Sequence, residues 1–325
     1  MNCLNPLKLF KIDDETKKVY GKEVDHVEIY TDGSIHPAKT KHVSRETFRA
    51  IFSYMEIPCR TCYGCRKDHA RMWSERIMAE LPYYDSSYFI TLTYDDNNIP
   101  VNDRGYNTLC TRDLQLFWKK LRKIQPEPIK YFACGEYGTT THRPHYHAIV
   151  FGLELDDLVL HSHDYAANTD LYTSYKLSEL WNNGFVSIGE VTQASARYVA
   201  GYVDKKLEVN RSNYYYKQLG IEPEKLYISN GIGERVYYDK VKSDLFDKNY
   251  EECYYNDVVI HNNSYYSNKF KREDPERHEN WIDTLEKQAK ADKRARRILM
   301  PDSVYYDSLD RENEFKIKNM KKRGD

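Results

Sequence analysis

The segment 143–152 (RPHYHAIVFG) contains two histidines, His145 and His147, separated by one residue. Side chains two residues apart in a β-strand project from the same face, so both imidazoles could bind one divalent ion. Glu136, on the strand predicted just before, could add a carboxylate oxygen from the same side. Two nitrogens and one oxygen with open positions for water suit Mg²⁺ or Mn²⁺ held beside a phosphate. A half-buried strand with hydrogen-bonded histidines is the alternative.

The segment 198–206 (YVAGYVDKK) contains two tyrosines four residues apart, followed by a lysine. In a helix, Tyr198 and Tyr202 share one face, and Lys205 lies near that face. A free tyrosine has a pKa of about 10, so its attack on phosphorus needs help. A metal that polarises the phosphate and a nearby ammonium that favours the phenolate would supply that help. In a chain with 30 tyrosines, two at this spacing could equally be packing residues.

Three cysteines and a histidine are crowded into eleven residues. Cys59, Cys62, Cys65 and His69 form the pattern Cys-x₂-Cys-x₂-Cys-x₃-His, whose soft ligands suggest a structural Zn²⁺ site. The spacing is tighter than that of the usual paired zinc knuckles, and an iron–sulfur cluster would need a fourth cysteine. Free thiols packed near the start of a helix are the alternative, and the sequence leaves both open.

Hydrophobic periodicity and turn residues predict the elements that position these motifs. Their order from residue 88 to residue 206 is β-α-β-β-α-β-α, with the second and third strands forming a hairpin. This order predicts an α+β fold, a ferredoxin-like split β-α-β unit whose antiparallel sheet has helices on one face. The histidines then lie on its third strand and the tyrosines on its last helix, while His161 and His163 are expected in a solvated loop.

The flanking regions have weaker patterns, which predicts three segments. Residues 1–85 form an N-terminal extension with the cysteine cluster, and residues 86–210 form the domain that contains the histidine and tyrosine motifs. Residues 211–325 form a C-terminal extension, first rich in Tyr, Asn and Lys and then highly charged. We expect this last segment to be peripheral.

Bulk composition limits the class of protein. The chain has 325 residues, 40% of them hydrophobic, which is enough for a core, and a formal net charge of −1. That charge argues against nucleic-acid binding, which usually needs a basic excess, although basic residues cluster locally at 66–67, 119–123, 205–206, 293–297 and 316–323. The chain lacks a long apolar run and a secretion-signal pattern, so we expect a cytoplasmic protein without a membrane partner. Its seven cysteines favour reduced thiols or a metal over a disulfide framework.

Three motifs together resemble those of a known superfamily. The segments 89–94 (FITLTY), 143–147 (RPHYH) and 198–206 (YVAGYVDKK) resemble the three motifs of rolling-circle replication initiators of the HUH endonuclease superfamily. The two-tyrosine arrangement and the segment 58–66 (PCRTCYGCR) are similar to those of initiators from small single-stranded DNA phages, the gokushovirus branch of the Microviridae. The similarity extends from about residue 58 to the Gly231-Ile232-Gly233 turn.

The resemblance implies a role for most of these residues. It implies that His145 and His147 are metal ligands and that Tyr198 and Tyr202 are nucleophiles, with Lys205 contacting the phosphate or assisting a tyrosine. Glu136 as third ligand comes from strand geometry alone. The resemblance also places two residues of the first motif, Thr91 and Thr93, on the central strand beneath the DNA, although both could simply fill the strand.

The implied function is rolling-circle DNA replication initiated at a single-stranded origin of the viral genome. A tyrosine would cut one strand with Mg²⁺ or Mn²⁺, leaving a 5′-phosphotyrosine link and a 3′-OH that host polymerase extends, with host helicase as a further partner. The host bacterial cytoplasm is the expected location. Two alternatives stay open: a plasmid initiator, relaxase or transposase of the same superfamily, and a non-catalytic nucleic-acid-binding protein with a zinc knuckle.

Overall fold

The computed structural model describes the backbone of residues 7–11, 26–29, 35–37 and 53–57 and most of the chain from 58 to 301. Within that long stretch, residues 61, 139, 166–167 and 206–215 lie outside the description, as do the side chains of 63, 202–205, 293 and 297. A few positions between 304 and 315 are also described. The chain divides into two compact units, one of residues 69–291 and one formed by 1–68 with 292–325. The segment boundaries predicted at 85/86 and 210/211 stay a prediction.

The described strands form three antiparallel sheets, with orders β3-β2-β1-β4, β11-β6-β7-β5-β10-β9-β8 and β12-β13. The first sheet contains β1 Leu7–Lys11, β2 His26–Ile29, β3 Ile35–Pro37 and β4 Ser53–Ile57. The large sheet contains β5 Ser87–Tyr94, β6 Lys130–Tyr137, β7 Pro144–Phe151, β8 Leu158–Asp164, β9 Thr169–Ser174, β10 Gly184–Glu190 and β11 Lys225–Ile228. The last pair is β12 Glu252–Tyr255 and β13 Val258–His261.

The helices fall mainly between and after these strands. They are α1 Tyr63–Glu80, α2 Thr111–Ile124, α3 Tyr175–Trp181, α4 Gln193–Lys205, α5 Glu234–Val236, α6 Ser264–Glu273 and α7 Pro275–Leu299. A 3₁₀ turn, Leu81–Tyr83, follows α1, and a π-helix, Tyr237–Asp247, continues α5. None of the described helices combines the length and apolar character needed to cross a membrane. The fold is therefore mixed α and β with an antiparallel sheet, as predicted.

The predicted β-α-β-β-α-β-α order is present as β5, α2, β6, β7, α3, β10 and α4. Between β7 and α3 the chain adds a hairpin, β8 and β9, where a solvated loop was expected. That expectation was wrong for His161 and His163, which lie on β8 at the edge of the sheet. Nearly every side chain of β8 is exposed, so the strand lacks the alternating burial by which a strand is recognised in sequence.

Helices cover both faces of the large sheet. One face packs against α2 and α3, whose buried residues are Leu114, Phe117, Trp118, Leu121, Leu177 and Trp181. The other face packs against α1 and α4 through residues that include Ile77, Ala196 and Val199. The expectation of helices on one face thus holds for α2 and α3 and is wrong for α1 and α4. The physical reason is that β7 is apolar on both sides, so each side needs a cover.

The chain beyond residue 210 contributes to the core, contrary to the expectation of a peripheral segment. β11 pairs with β6 and completes the large sheet. The π-helix, the β12–β13 hairpin, α6 and α7 enclose an apolar cluster of their own, which includes Val241, Phe246, Ile260, Phe270 and Trp281. Aromatic pairs without helical periodicity build this cluster, so the sequence pattern there looked loose.

A buried carboxylate joins α1 to the sheet and to the glycine turn. Glu80 is fully buried and accepts hydrogen bonds from Lys130 Nζ at 2.8 Å, Tyr84 Oη at 3.1 Å and Gly233 N at 2.6 Å. Lys130 also donates to the carbonyl of Gly231 at 2.9 Å. Such a fully bonded ion pair is costly to break from one side, because the remaining partner is left without compensation.

We predict that Glu80→Ala lowers the free energy of unfolding by about 3 kcal/mol, because Lys130 and the Gly233 amide lose their acceptor. Urea denaturation of the full chain measures this change. Glu127→Ala, at an exposed position, is the matched control and should stay within about 0.5 kcal/mol of the parent. Equal stability of the two variants would contradict the role given to Glu80.

Candidate metal and nucleophile site

The register of two neighbouring strands brings three candidate ligands to one face. β6 pairs with β7 so that Glu136 lies opposite His145 and Cys134 lies opposite His147. Glu136 Oε1 is 2.6 Å from His145 Nε2 and 2.8 Å from His147 Nε2. One potential ligand atom from each of the three residues lies within 4.8 Å of the others. The structure therefore places these three sequence candidates together.

Each imidazole is held by a contact at its other nitrogen. His145 Nδ1 lies 2.9 Å from the carbonyl oxygen of Arg143, and His147 Nδ1 lies 2.9 Å from Thr91 Oγ1. A carbonyl only accepts, so Nδ1 of His145 carries a proton and donates it. This leaves the Nε2 atoms facing Glu136, the arrangement by which proteins orient histidine ligands.

Glu136 is an ionised carboxylate at the centre of the site. Its burial would raise its pKa, but hydrogen bonds from His145 and His147 outweigh burial and lower the pKa to about 2. Burial would lower the pKa of His145, yet the hydrogen bond to Glu136 and the charge of that carboxylate raise it overall. A buried negative charge between two imidazoles is suited to a cation.

Tyr198 is the nucleophile candidate that the structure brings to this site. Its hydroxyl donates to Glu136 Oε1 at 3.1 Å and lies 3.4 Å from His147 Nε2. Its ring meets those of Phe89 and His147 edge-on, and it remains 47% exposed. Burial of the hydroxyl and the Glu136 charge raise the pKa of Tyr198, so the phenol is protonated in this state.

The helix α4 carries Tyr198 over the strands of the site. α4 packs on β6, β7 and β11, and its Ala196, Val199 and Ala200 are fully buried. Tyr202 and Lys205 lie on the same helix, which ends at Lys205, but their side chains lie outside the described residues. Their roles as second nucleophile and phosphate contact therefore stay predictions.

A row of side chains continues from the histidines toward β10. Thr91 lies opposite His147 and Thr93 opposite His145, and their partners across the next pairing are Ser187 and Phe185. Phe185 is 69% exposed. Sequence reasoning missed Phe185 and the contact of Thr91 with His147, since both emerge only from the register between strands that are distant in sequence.

The segment that leads into His145 is anchored by the guanidinium of Arg143. This group donates to the carbonyl of Tyr94 at 2.7 Å and pairs with the Asp96 carboxylate. The pairing ties the start of β7 to the end of β5. The arginine of the RPHYH motif thus positions the strand that presents both histidines.

A pocket of about 590 Å³ opens at the end of the β6–β7 hairpin. Its lining includes Tyr106, Tyr137, His142, Tyr216 and Glu224. The rings of Tyr137 and Tyr216 lie 6.3 Å apart, and both residues donate to Glu224 at 3.0 Å, Tyr137 from its backbone and Tyr216 from its hydroxyl. Glu224 also contributes to the raised pKa of His145. The pocket therefore neighbours the site electrostatically.

The cysteine candidates lie in the smaller compact unit. Cys59, Cys62 and Cys65 bring their sulfurs within 4.8 Å of one another, and none of the three forms a disulfide. His69, which belongs to the other compact unit, is half-buried. Its Nδ1 has no hydrogen-bond partner among the described residues, and burial followed by the charge of Arg76 lowers its pKa. Its role as a ligand stays a prediction.

The chain is similar to replication-associated proteins of several phages. The family profile of replication-associated protein ORF2 matches residues 87–207, a stretch that includes the histidine and tyrosine motifs. Replication-associated protein ORF2 of Spiroplasma virus 4 is 38% identical over 209 residues, which cover 63% of this chain and 61% of that protein. Replication-associated protein VP4 of Bdellovibrio phage phiMH2K is 32% identical over 253 residues, 73% of each chain.

A third relative and the search of solved structures complete the comparison. Replication-associated protein ORF4 of Chlamydia phage 1 is 32% identical over 164 residues, 47% of this chain and 39% of that protein. Two of these three matches thus span less than two thirds of the relative's own length. No solved structure matches the chain.

We predict that Thr91→Val weakens Mn²⁺ binding about tenfold, because His147 loses the hydrogen bond that orients it. Isothermal titration calorimetry of the full chain with Mn²⁺ measures the change. Thr93→Val is the matched control, since Thr93 lies on the same strand opposite His145 but has no described hydrogen bond to either histidine. Equal losses in both variants, or none in Thr91→Val, would contradict this arrangement.

Proposed function

Since this chain belongs to the ORF2 family of phage replication-associated proteins, we propose that it initiates rolling-circle replication of a phage genome by cutting a single DNA strand with a tyrosine. The observation that supports this proposal most is the meeting of three groups at one atom. His145 Nε2, His147 Nε2 and the Tyr198 hydroxyl all lie within 3.1 Å of Glu136 Oε1. A candidate cation site and a candidate nucleophile are thereby adjacent.

The donor set fits a divalent ion such as Mn²⁺ or Mg²⁺. Two oriented imidazoles and one ionised carboxylate leave positions for water and phosphate oxygens. A divalent ion bound by His145, His147 and Glu136 would polarise the scissile phosphate and offset the charge that develops on it.

The chain's own residues would carry out the transesterification. The Tyr198 oxygen forms a bond to phosphorus and the bond to the 3′-oxygen breaks, so that oxygen leaves as a hydroxyl with the proton that the phenol gives up. The products are a 5′-phosphotyrosine link and a free 3′-OH. Because the link conserves the energy of the phosphodiester bond, no ATP is required.

Activation of Tyr198 depends on the charge around it. The Glu136 carboxylate raises the pKa of the phenol, so positive charge placed beside Glu136 has the opposite effect and favours the phenolate. The exposed half of the Tyr198 side chain leaves the hydroxyl accessible to a DNA strand. Lys205, three residues beyond Tyr202, would add positive charge near the same helix face.

Tyr202 would act as the second nucleophile. Four residues separate it from Tyr198 on α4, a spacing that repeats a residue on the same face one turn later. After one circuit of synthesis, Tyr202 would cut the regenerated origin, and the new 3′-OH would attack the first link and release a circle.

The topology is compatible with the HUH endonuclease fold. Within the large sheet, β5 lies between β7 and β10, and α2 and α3 cover the same face. This is the arrangement of a split β-α-β unit. The strand order, together with the histidines on β7 and the tyrosines on α4, supports the assignment of this fold.

The substrate would be the origin in single-stranded form, in the cytoplasm of the bacterial host. The hydroxyls of Thr91, Thr93 and Ser187 could donate to phosphates, while the exposed ring of Phe185 could stack on a base. A 3′-OH released at the nick would be extended by the host polymerase, with a host helicase opening the duplex ahead of it.

We predict that Tyr198→Phe/Tyr202→Phe abolishes a denaturant-resistant adduct between the chain and single-stranded DNA, a loss of about 1,000-fold or more. The assay incubates the full chain with Mn²⁺ and 3′-labelled oligonucleotides that tile the replicon encoding it, followed by denaturing electrophoresis. Tyr175→Phe, at an exposed tyrosine on α3, is the matched control and should form the adduct as the parent does. An adduct that persists in the double variant would refute the proposal.

We predict that chelation by EDTA stops adduct formation, that added Mn²⁺ restores it, and that His145→Ala/His147→Ala is not restored by Mn²⁺. The physical reason is that the double variant removes both nitrogen ligands from the donor set. His161→Ala/His163→Ala, on the exposed strand β8, is the control pair. Normal cutting by the first pair would show that these histidines serve only the structure.

A further inference from the structure

The three cysteine sulfurs are spaced as ligands of one ion would be. Cys59 Sγ and Cys65 Sγ lie 3.9 Å apart, and Cys62 Sγ is within 4.8 Å of both. With zinc–sulfur bonds of about 2.3 Å, two ligands of a tetrahedral ion lie about 3.8 Å apart. The observed separation of Cys59 and Cys65 matches this value.

The backbone between the cysteines is shaped to support thiolates. Arg60 has a φ of 63°, in the left-handed region, and this turn lets the Cys62 amide donate to Cys59 Sγ at 3.3 Å. A hydrogen bond to the charged form of a ligand favours that form. Cys62 directly precedes α1 and Cys65 lies in its first turn, where the helix dipole and the absence of acidic residues also favour a thiolate.

We propose that Cys59, Cys62 and Cys65 bind one structural Zn²⁺ ion, separate from the site built around Glu136. Three thiolates at this spacing form a sulfur-rich tetrahedral set of the kind that selects zinc. The three sulfurs leave the fourth position of the tetrahedron to a water molecule or to one further ligand.

The ion would act as a clip between a strand and a helix. β4 ends at Ile57, two residues before Cys59, and α1 begins at Tyr63. The described strands of this compact unit are three to five residues long. Short elements bury little apolar surface, so a bound metal adds stability that a small core lacks. The ion thus gives the cysteines a structural task, distinct from cutting DNA.

Titration of the metal-free full chain with Co²⁺ tests the proposal, because cobalt bound by thiolates absorbs in the near ultraviolet through charge transfer from sulfur. One equivalent of Co²⁺ should produce this band together with the visible bands of a tetrahedral ion, and Zn²⁺ should remove both. Ions bound by His145, His147 and Glu136 lack sulfur ligands and do not give the charge-transfer band. The test therefore succeeds or fails independently of the proposed DNA-cutting site.

Two variants assign the band to the cluster. Cys59→Ser/Cys62→Ser should lose it completely, whereas Cys110→Ser, at a free cysteine on the loop before α2, should keep it in full. The parent spectrum decides the question even if the double variant folds poorly. Absence of the band in the parent, its persistence in the double variant, or a disulfide between Cys59 and Cys65 in the freshly purified chain would each overturn the proposal.

Discussion

One carboxylate oxygen, Oε1 of Glu136, is the point on which the functional site depends. It accepts from two imidazoles and a phenol that come from three different elements, β7 for the histidines, α4 for Tyr198 and β6 for the carboxylate itself. The register of β6 against β7 alone decides that Glu136 faces His145. A slip of one residue would turn the carboxylate to the opposite face, where α2 and α3 pack.

The rest of the fold keeps that register and the approach of α4. The sheet is buried on both faces at β6 and β7, so neither strand can turn its apolar side chains to water. Small and β-branched residues, Ala196, Val199 and Ala200, let α4 lie close to the strands while Tyr198 stays half-exposed. Glu80 and Lys130 add a buried ionic link between α1 and the start of β6. The packed side of the sheet thus holds the site, while Phe185 and the threonines of β5 mark the side open to a substrate.

The sequence predicts the order of elements and the meeting of the histidines with a tyrosine, because each motif lies on an element with a clear period. His145 and His147 alternate with apolar residues in a strand, and Leu114, Phe117, Trp118 and Leu121 recur at helical spacing. It missed the β8–β9 hairpin because solvent-exposed strands have no alternation. It also missed the second layer of helices, since a strand with two apolar faces shows that both are covered without saying by what.

Roles that depend on long-range register were equally beyond sequence reasoning. Thr91 is 56 residues from His147, and only the pairing of β5 with β7 shows that its hydroxyl orients that imidazole. Glu136, by contrast, could be proposed from sequence because a short hairpin joins its strand to that of His145. The side chains of Tyr202 and Lys205 lie outside the described residues, so their part in the reaction rests on helical spacing alone.

The most direct test of the central claim is mass spectrometry of the chain after reaction with single-stranded DNA and Mn²⁺, followed by nuclease and trypsin digestion. Cleavage after Arg197 and Lys205 isolates residues 198–205 in one peptide, and fragmentation separates its two tyrosines. The account predicts a 5′-linked nucleotide on Tyr198 or Tyr202, and on Tyr198 first when turnover is limited to one event. A nucleotide attached to any residue outside α4 would contradict it.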